Sequence, residues 1–104
     1  MKIITPGHRY ELSNFENPID NQTLQFIEKR PSPHTSDAPM ETVHEGTTSE
    51  EVLRVLIDRM NHLQDKFPCR ENAVVITHLE TALLWLDKRT ADRKARDVEG
   101  KHLA

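Results

Sequence analysis

The sequence predicts an α+β chain: a small N-terminal antiparallel β region followed by a two-helix antiparallel hairpin that oligomerises through its helices. Three observations carry this expectation. Residues 48–96 hold two stretches of helical apolar periodicity, separated by the very short corner Lys66-Phe67-Pro68-Cys69-Arg70-Glu71. The residues before them hold β-favouring segments divided by turn-rich and proline-rich stretches. The helices also carry more apolar surface than two helices can hide from water, and each Leu left exposed forfeits roughly 1.5–3 kcal/mol.

Taken in order, residues 2–12 read as a short strand punctuated by Pro6-Gly7, and Leu24-Gln25-Phe26-Ile27-Glu28 as a second strand. The segment from Asn14 to Asn21 is turn-rich, so the two strands can pair as a hairpin with a long loop. Residues 31–39 hold three prolines and almost nothing to bury, which makes a linker. Met40-Glu41-Thr42-Val43 reads as a short third strand.

The first helix begins at a capping box, Thr48-Ser49-Glu50-Glu51, in which Thr48 accepts from the amide of Glu51 and Glu51 reaches back. Leu53, Leu56, Met60, Leu63 and Phe67 then recur every three or four residues as one stripe, widened by Val52, Val55 and Ile57. Pro68 suits the first position of the second helix, and it pushes Phe67 toward an extended backbone. The corner is therefore tight and the helices antiparallel. The second helix is expected from about Pro68 to about Arg96, with Ile76, Leu79, Leu83 and Leu86 as its main stripe and Val75 and Ala82 beside it. Leu84 and Trp85 make it apolar almost all the way round, and another copy of the chain is expected to cover the surplus. The division is 1–45 for the β region with its linker and 46–104 for the hairpin with a short tail.

Composition narrows the function. The chain has 104 residues, a net charge of −3 and 36% hydrophobic residues. The acidic balance argues against a nucleic-acid polymer as partner. One cysteine, Cys69, excludes an internal disulfide and suits a reducing cytosol. The longest apolar run, Ala82 to Leu86, is far too short to span a membrane. The N-terminus is broken too early by Pro6-Gly7 for a signal peptide.

Catalytic constellations are not apparent. The six histidines show no metal-ligand spacing, so neither a metal nor a cofactor is expected. Cys69 has no adjacent base and reads as a structural or semi-exposed thiol. Glu50-Glu51 is explained by capping, and the three glycines are too scattered for a phosphate loop.

The best chemical signal is the basic end. Arg89, Arg93 and Arg96 share one face that continues the Val75–Ala82 row, where an apolar interface ending in arginines would form a pocket with planar, bidentate donors. Their other reading is charge that complements the helix dipole and pairs with Asp87, Asp92 and Asp97. At the corner, Phe67 can stack on a base or plug the hairpin. Arg70 sits against the helix dipole, where a cation is anomalous unless it meets an anion or a salt-bridge partner. Thr77 is polar within an apolar stretch and can bond a ligand or its own helix.

Three segments carry a resemblance to a known family. They are Gly46-Thr47-Thr48-Ser49-Glu50-Glu51-Val52-Leu53, Phe67-Pro68-Cys69-Arg70-Glu71-Asn72-Ala73, and Thr77-His78-Leu79-Glu80-Thr81-Ala82-Leu83-Leu84-Trp85. About half of the chain resembles the helical-hairpin domain shared by the phage anti-CBASS sponge and the Thoeris anti-defence sponge. The β segments ahead of the hairpin, 7–12 and 23–28, resemble the Thoeris branch. The resemblance implies a homo-oligomer, dimer-based and commonly hexameric, acting in the host-cell cytoplasm from a phage or prophage gene. It implies sequestration, without cleavage, of cyclic ADP-ribose isomers and also cyclic di- and trinucleotides in pockets between protomers. It assigns adenine stacking to Phe67, polar contacts to Arg70 and Thr77, and phosphate contact to Arg89 or Arg93, with Arg96 sharing their face. On that assignment, Arg93→Ala is expected to weaken binding roughly 10–150-fold with the oligomer intact. The competing expectations are an oligomeric adaptor with no small ligand and, far behind for want of a base, nucleophile or metal site, a hydrolase of cyclic nucleotides.

Overall fold

The computed structural model describes residues 1–32 and 40–96. Five strands precede two helices: β1 Lys2–Thr5, β2 Arg9–Ser13, β3 Asn21–Gln25, β4 Glu28–Arg30, β5 Glu41–His44, α1 Ser49–Lys66 and α2 Arg70–Ala95. The α+β class holds, with antiparallel strands followed by an antiparallel helical hairpin. Gly100 and the tail lie outside the described residues, as do Asp97 and most of the proline-rich linker.

Strands β1, β2 and β3 form one antiparallel sheet in that order, and β4 pairs with β5 in a second. The single strand expected over residues 2–12 is in fact a hairpin. Thr5-Pro6-Gly7-His8 makes a turn closed by His8 N donating to Thr5 O at 3.0 Å. Gly7 has φ of +78°, the backbone that position i+2 of a type II turn requires, and Pro6 presets the residue before it. The expected pairing of the flanking strands across the 14–20 loop is present, from Arg9↔Gln25 to Ser13↔Asn21. The expected second strand is split: β3 ends at Gln25 and β4 starts at Glu28. The short third strand runs one residue later than expected, as β5, and Arg30 meets Glu41 across it at 3.2 Å.

The split in the second strand is caused by a crossing. Phe26 pairs in parallel with Thr47, one residue before the helix cap. Thr47 N donates to Gln25 O at 2.9 Å, and Ile27 N donates to Thr47 O at 2.8 Å. These bonds fasten the β region to the start of α1. Gly46 is where the two backbones come closest: a Cβ there would lie 2.5 Å from Gln25 O and 2.6 Å from the Phe26 carbonyl carbon. Tyr10 and Phe26 meet edge to face at 6.0 Å beside this crossing.

Helix α1 starts as its sequence dictates, with Thr48 Oγ1 accepting from Glu51 N at 3.1 Å. Helix α2 starts two residues later than expected. Its N-cap is Cys69, in an extended conformation, with Sγ accepting from Asn72 N at 3.4 Å. Pro68 thus lies just outside the helix. Gln64 explains the shift, because its side-chain amide bonds both the N–H and the C=O of Cys69. That clamp holds Cys69 extended and delays the helix to Arg70. Arg54 reaches Asp87 at 3.4 Å, which sets the antiparallel register at the far end.

The seam between the helices differs in detail from the expected stripes. On α1, Leu53, Ile57, Met60, Leu63 and Gln64 are half-buried, whereas Leu56 and Val55 are exposed on the sheet side, beside half-buried Val52. On α2 the half-buried row is Asn72, Ile76, Leu79, Leu83, Leu86 and Thr90, and it ends on buried Arg93. No hydrophobic side chain among the described residues is fully buried. The molecule is a slab of 53 × 36 × 15 Å with a radius of gyration of 17.2 Å. A compact chain of this length would have a radius of about 13 Å.

Candidate functional site

The six candidate ligand contacts all lie on the hairpin, and they fall into two groups at its opposite ends. Phe67 is the C-cap residue of α1, with φ −135° and ψ 76°, so its backbone has left the helix. The residue is 75% exposed and does not plug the hairpin. Arg70 opens α2 with its side chain 88% exposed and 3.8 Å from Glu71, a contact of little energetic weight at that exposure. The first turns of α2 therefore present an aromatic ring and a guanidinium beside backbone N–H groups. Thr77 lies two turns further along, also exposed, and its carbonyl accepts from Thr81 Oγ1 at 2.8 Å. The back-bond in this helix thus comes from Thr81 to Thr77.

At the other end, Arg89 and Arg96 lie on an exposed face with Trp85, Lys88 and Asp92, around a shallow hollow of about 210 Å³. Lys88 holds Asp92 at 2.9 Å. Arg93 does not border this hollow. It continues the inner row of α2 and is 8% exposed, and both it and Arg96 are engaged in interactions. The three arginines that share a face on a helical wheel are therefore divided: two meet solvent beside Trp85, and one closes the seam.

The two groups are far apart on one chain. Helix α2 rises about 1.5 Å per residue, so Arg70 and Arg89 are separated by roughly 28 Å along its axis. A single nucleotide cannot touch both ends of one hairpin. A pocket that combines the corner with the basic end needs two chains.

Sequence reasoning missed a third feature, the trough between the sheet and α1. Leu12, Leu24, Val52, Val55 and Leu56 line an apolar groove of about 360 Å³. It adjoins a wider recess of about 620 Å³ that runs past Tyr10 and Phe26 to Thr48 and Glu50 at the start of α1. The two share Leu12, Leu24 and Thr47. The signal in the sequence was the pair of apolar residues Leu56 and Ile57, which gives α1 two apolar faces where one was counted. Arg9 was missed as well. It donates to Gln25 Oε1 at 2.6 Å and also bonds the His44 ring, so it ties the two sheets together beside the trough.

Among the described residues no group of three or more His, Cys, Asp or Glu side chains is placed to hold a metal ion. No described helix is long and apolar enough to cross a membrane.

Comparison with known proteins bears on the same segments. A phage protein, Thoeris anti-defense 1 of Bacillus phage SBSphiJ7, is 50% identical over 58 residues, which are 55% of this chain. The chain spans 41% of that relative's length. Residues 23–91, from β3 through the crossing and both helices, match the family model described as Acb2/Tad1, hairpin domain. Since that match takes in well over half of the sequence, the chain belongs to the Acb2/Tad1 hairpin-domain family.

Proposed function

We propose that this chain is a phage-encoded anti-defence protein that binds nucleotide immune second messengers in the host cytoplasm and withholds them without chemical change. The messengers are cyclic ADP-ribose isomers, with cyclic di- and trinucleotides within reach of the same contacts. The observation that carries the reading is the 50% identity to a phage protein whose name is Thoeris anti-defense 1. The geometry adds support. Exposed groups able to stack on a base and bind phosphate stand at both ends of the hairpin.

In this reading the pocket is composite. Phe67 of one protomer stacks on adenine, and Arg70 and Thr77 make polar contacts. Arg89, Arg93 and Arg96 of another protomer supply the phosphate-binding end. The roughly 28 Å between the ends of one α2 is the reason two protomers are required. The surface supports assembly. Val55, Leu84 and Trp85 are exposed apolar side chains on one chain, and burying them against another copy is favourable. A dimer-based homo-oligomer, extending to a hexamer, is the proposed state.

A second reading is an oligomeric adaptor without a small ligand, favoured by the exposure of Val55 in the trough beside the sheet and of Leu84 on α2. One experiment separates the two. The full chain is titrated calorimetrically with cyclic ADP-ribose isomers and cyclic di- and trinucleotides. Bound ligand is then released by heat and chromatographed. Tight binding with unaltered ligand recovered supports the sponge. Altered ligand would make the chain an enzyme, and no heat across the panel would leave the adaptor.

A further inference from the structure

We infer that Gln64 is a positioning residue for ligand binding: by clamping Cys69 it holds the Phe67 ring and the Arg70 guanidinium in the relative placement that a nucleotide meets. The inference rests on the reading of Phe67 and Arg70 as ligand contacts, and it adds to them a residue that acts without touching the ligand.

Two residues, Pro68 and Cys69, separate Phe67 from Arg70. Neither end of that span is seated by packing. Phe67 is 75% exposed at the C-cap of α1. The Arg70 side chain is 88% exposed, with the Glu71 carboxylate 3.8 Å away. At these exposures the backbone between the two groups decides how they stand relative to each other. The ring of Pro68 fixes its own φ near −65°. What remains is Cys69, at φ −153° and ψ 159°, outside both helices.

Gln64 fixes that residue. Its Oε1 accepts from Cys69 N at 3.0 Å, and its Nε2 donates to Cys69 O at 3.1 Å. A side-chain amide carries an acceptor and a donor in one plane, so it can hold the N–H and the C=O of one residue together. The same Cys69 carbonyl accepts from Ala73 N at 3.2 Å, the first backbone bond of α2. On the other side, Phe67 N still donates to Leu63 O at 2.8 Å, the last bond of α1. Gln64 is half-buried next to Leu63. One side chain therefore joins the last turn of α1 to the first bond of α2 and leaves the corner little freedom.

For a binder this has a consequence beyond stability. A ligand that must order its contacts loses part of its affinity to that ordering, whereas preset contacts spare it. Apparent affinity falls in proportion to the fraction of molecules whose corner is already competent. Without the clamp, Phe67 and Arg70 keep their chemistry and lose their mutual placement.

The full chain and its variants Q64A and Q64M are titrated calorimetrically with the cyclic ADP-ribose isomers and with cyclic di-AMP, far below the melting range of each. Methionine matches the length of glutamine and removes both bonds, so it separates the clamp from the packing of the stem. Both variants are expected to bind at least roughly 5-fold more weakly, with about 150-fold as the ceiling set by two lost hydrogen bonds. Their sedimentation matches wild type. If Q64A fails to assemble, Q64M still decides. Q64M is then placed in an F67A chain, or in R70A where F67A leaves too little heat to fit. There its affinity cost shrinks, because the group it positions is gone, while its cost in Tm stays the same. Wild-type affinity in Q64M with a lowered Tm would leave Gln64 as a stability contact and overturn the inference, with the sponge still standing. An equal affinity cost with and without the positioned group would overturn it as well. No heat from the wild-type chain with any of these nucleotides would overturn it together with the sponge.

Discussion

Gln64 closes the corner of the hairpin on Cys69. Its Oε1 accepts from Cys69 N at 3.0 Å, and its Nε2 donates to Cys69 O at 3.1 Å. One side chain thereby satisfies both polar groups of a residue that belongs to neither helix. The contact sets where α2 begins, and so it sets where Phe67 and Arg70 stand.

Gln64→Ala removes both bonds. A net worth of about 0.5–1.5 kcal/mol for each gives an expected loss of roughly 1–3 kcal/mol. Thermal unfolding followed by circular dichroism measures it. A Tm equal to wild type would mean that water replaces the clamp at no cost.

Cys69 caps α2 through sulfur, at 3.4 Å from Asn72 N. An oxygen is the stronger acceptor, so Cys69→Ser should unfold at an equal or higher urea concentration than wild type. Cys69→Ala should fall below both by about 0.5–1 kcal/mol, the low end for a lost cap. A C69A midpoint at or above that of C69S would show that the sulfur contact contributes nothing.

Gly46→Ala should be the most damaging of the conservative changes. The added methyl would meet three backbone atoms, the farthest 2.8 Å away, and none belongs to a flexible side chain. Overpacking of this kind costs about 1–3 kcal/mol and sometimes more. Its signature is local: the amides of Thr47 and Ile27, which bond across the crossing, lose hydrogen-exchange protection before those of the helices. Uniform loss across the chain would show instead that the β region and hairpin unfold together.

Arg89 and Arg93 should separate in their effects. Arg93 is 8% exposed at the end of the seam, so Arg93→Ala is expected to lower Tm as well as ligand affinity. Arg89 stands in solvent, so Arg89→Ala is expected to weaken nucleotide binding roughly 10–150-fold with Tm unchanged. Paired calorimetry and thermal melts read both. Full affinity in R89A would remove that residue from the phosphate end.

What was legible in the sequence was local. Thr48 and Glu51 signal the start of α1 within four residues, and the cap lies where that signature puts it. Pro6-Gly7 is equally local, and what the pattern marks as an interruption is a full turn. The misplaced features depend on partners distant in pattern. Leu56 and Ile57 both fit helical spacing, and only the packed hairpin selects Ile57 for the seam. The start of α2 moved because Gln64 reaches across the corner. The arginines illustrate the same limit at the candidate site. Spacing groups Arg93 with Arg89 and Arg96, yet the inner row of α2 runs through Thr90 to Arg93 and turns it away from them. The parallel pairing of Phe26 with Thr47 had no sequence signal, because it joins two single residues outside any regular strand.

The slab is 15 Å in its thinnest direction, so nothing in it lies deeper than about the length of one side chain. In most proteins the interior positions specify the architecture and the outer ones are free to drift or to recognise something. That division of labour has little room here. Apart from Arg93, each helix position is half-buried or exposed, and the same side chain must answer to both demands. A complete substitution map of this chain should therefore lack the usual contrast between intolerant interior and permissive exterior. Its intolerant positions should include residues such as Val55, Leu84 and Trp85, which the isolated chain leaves in water.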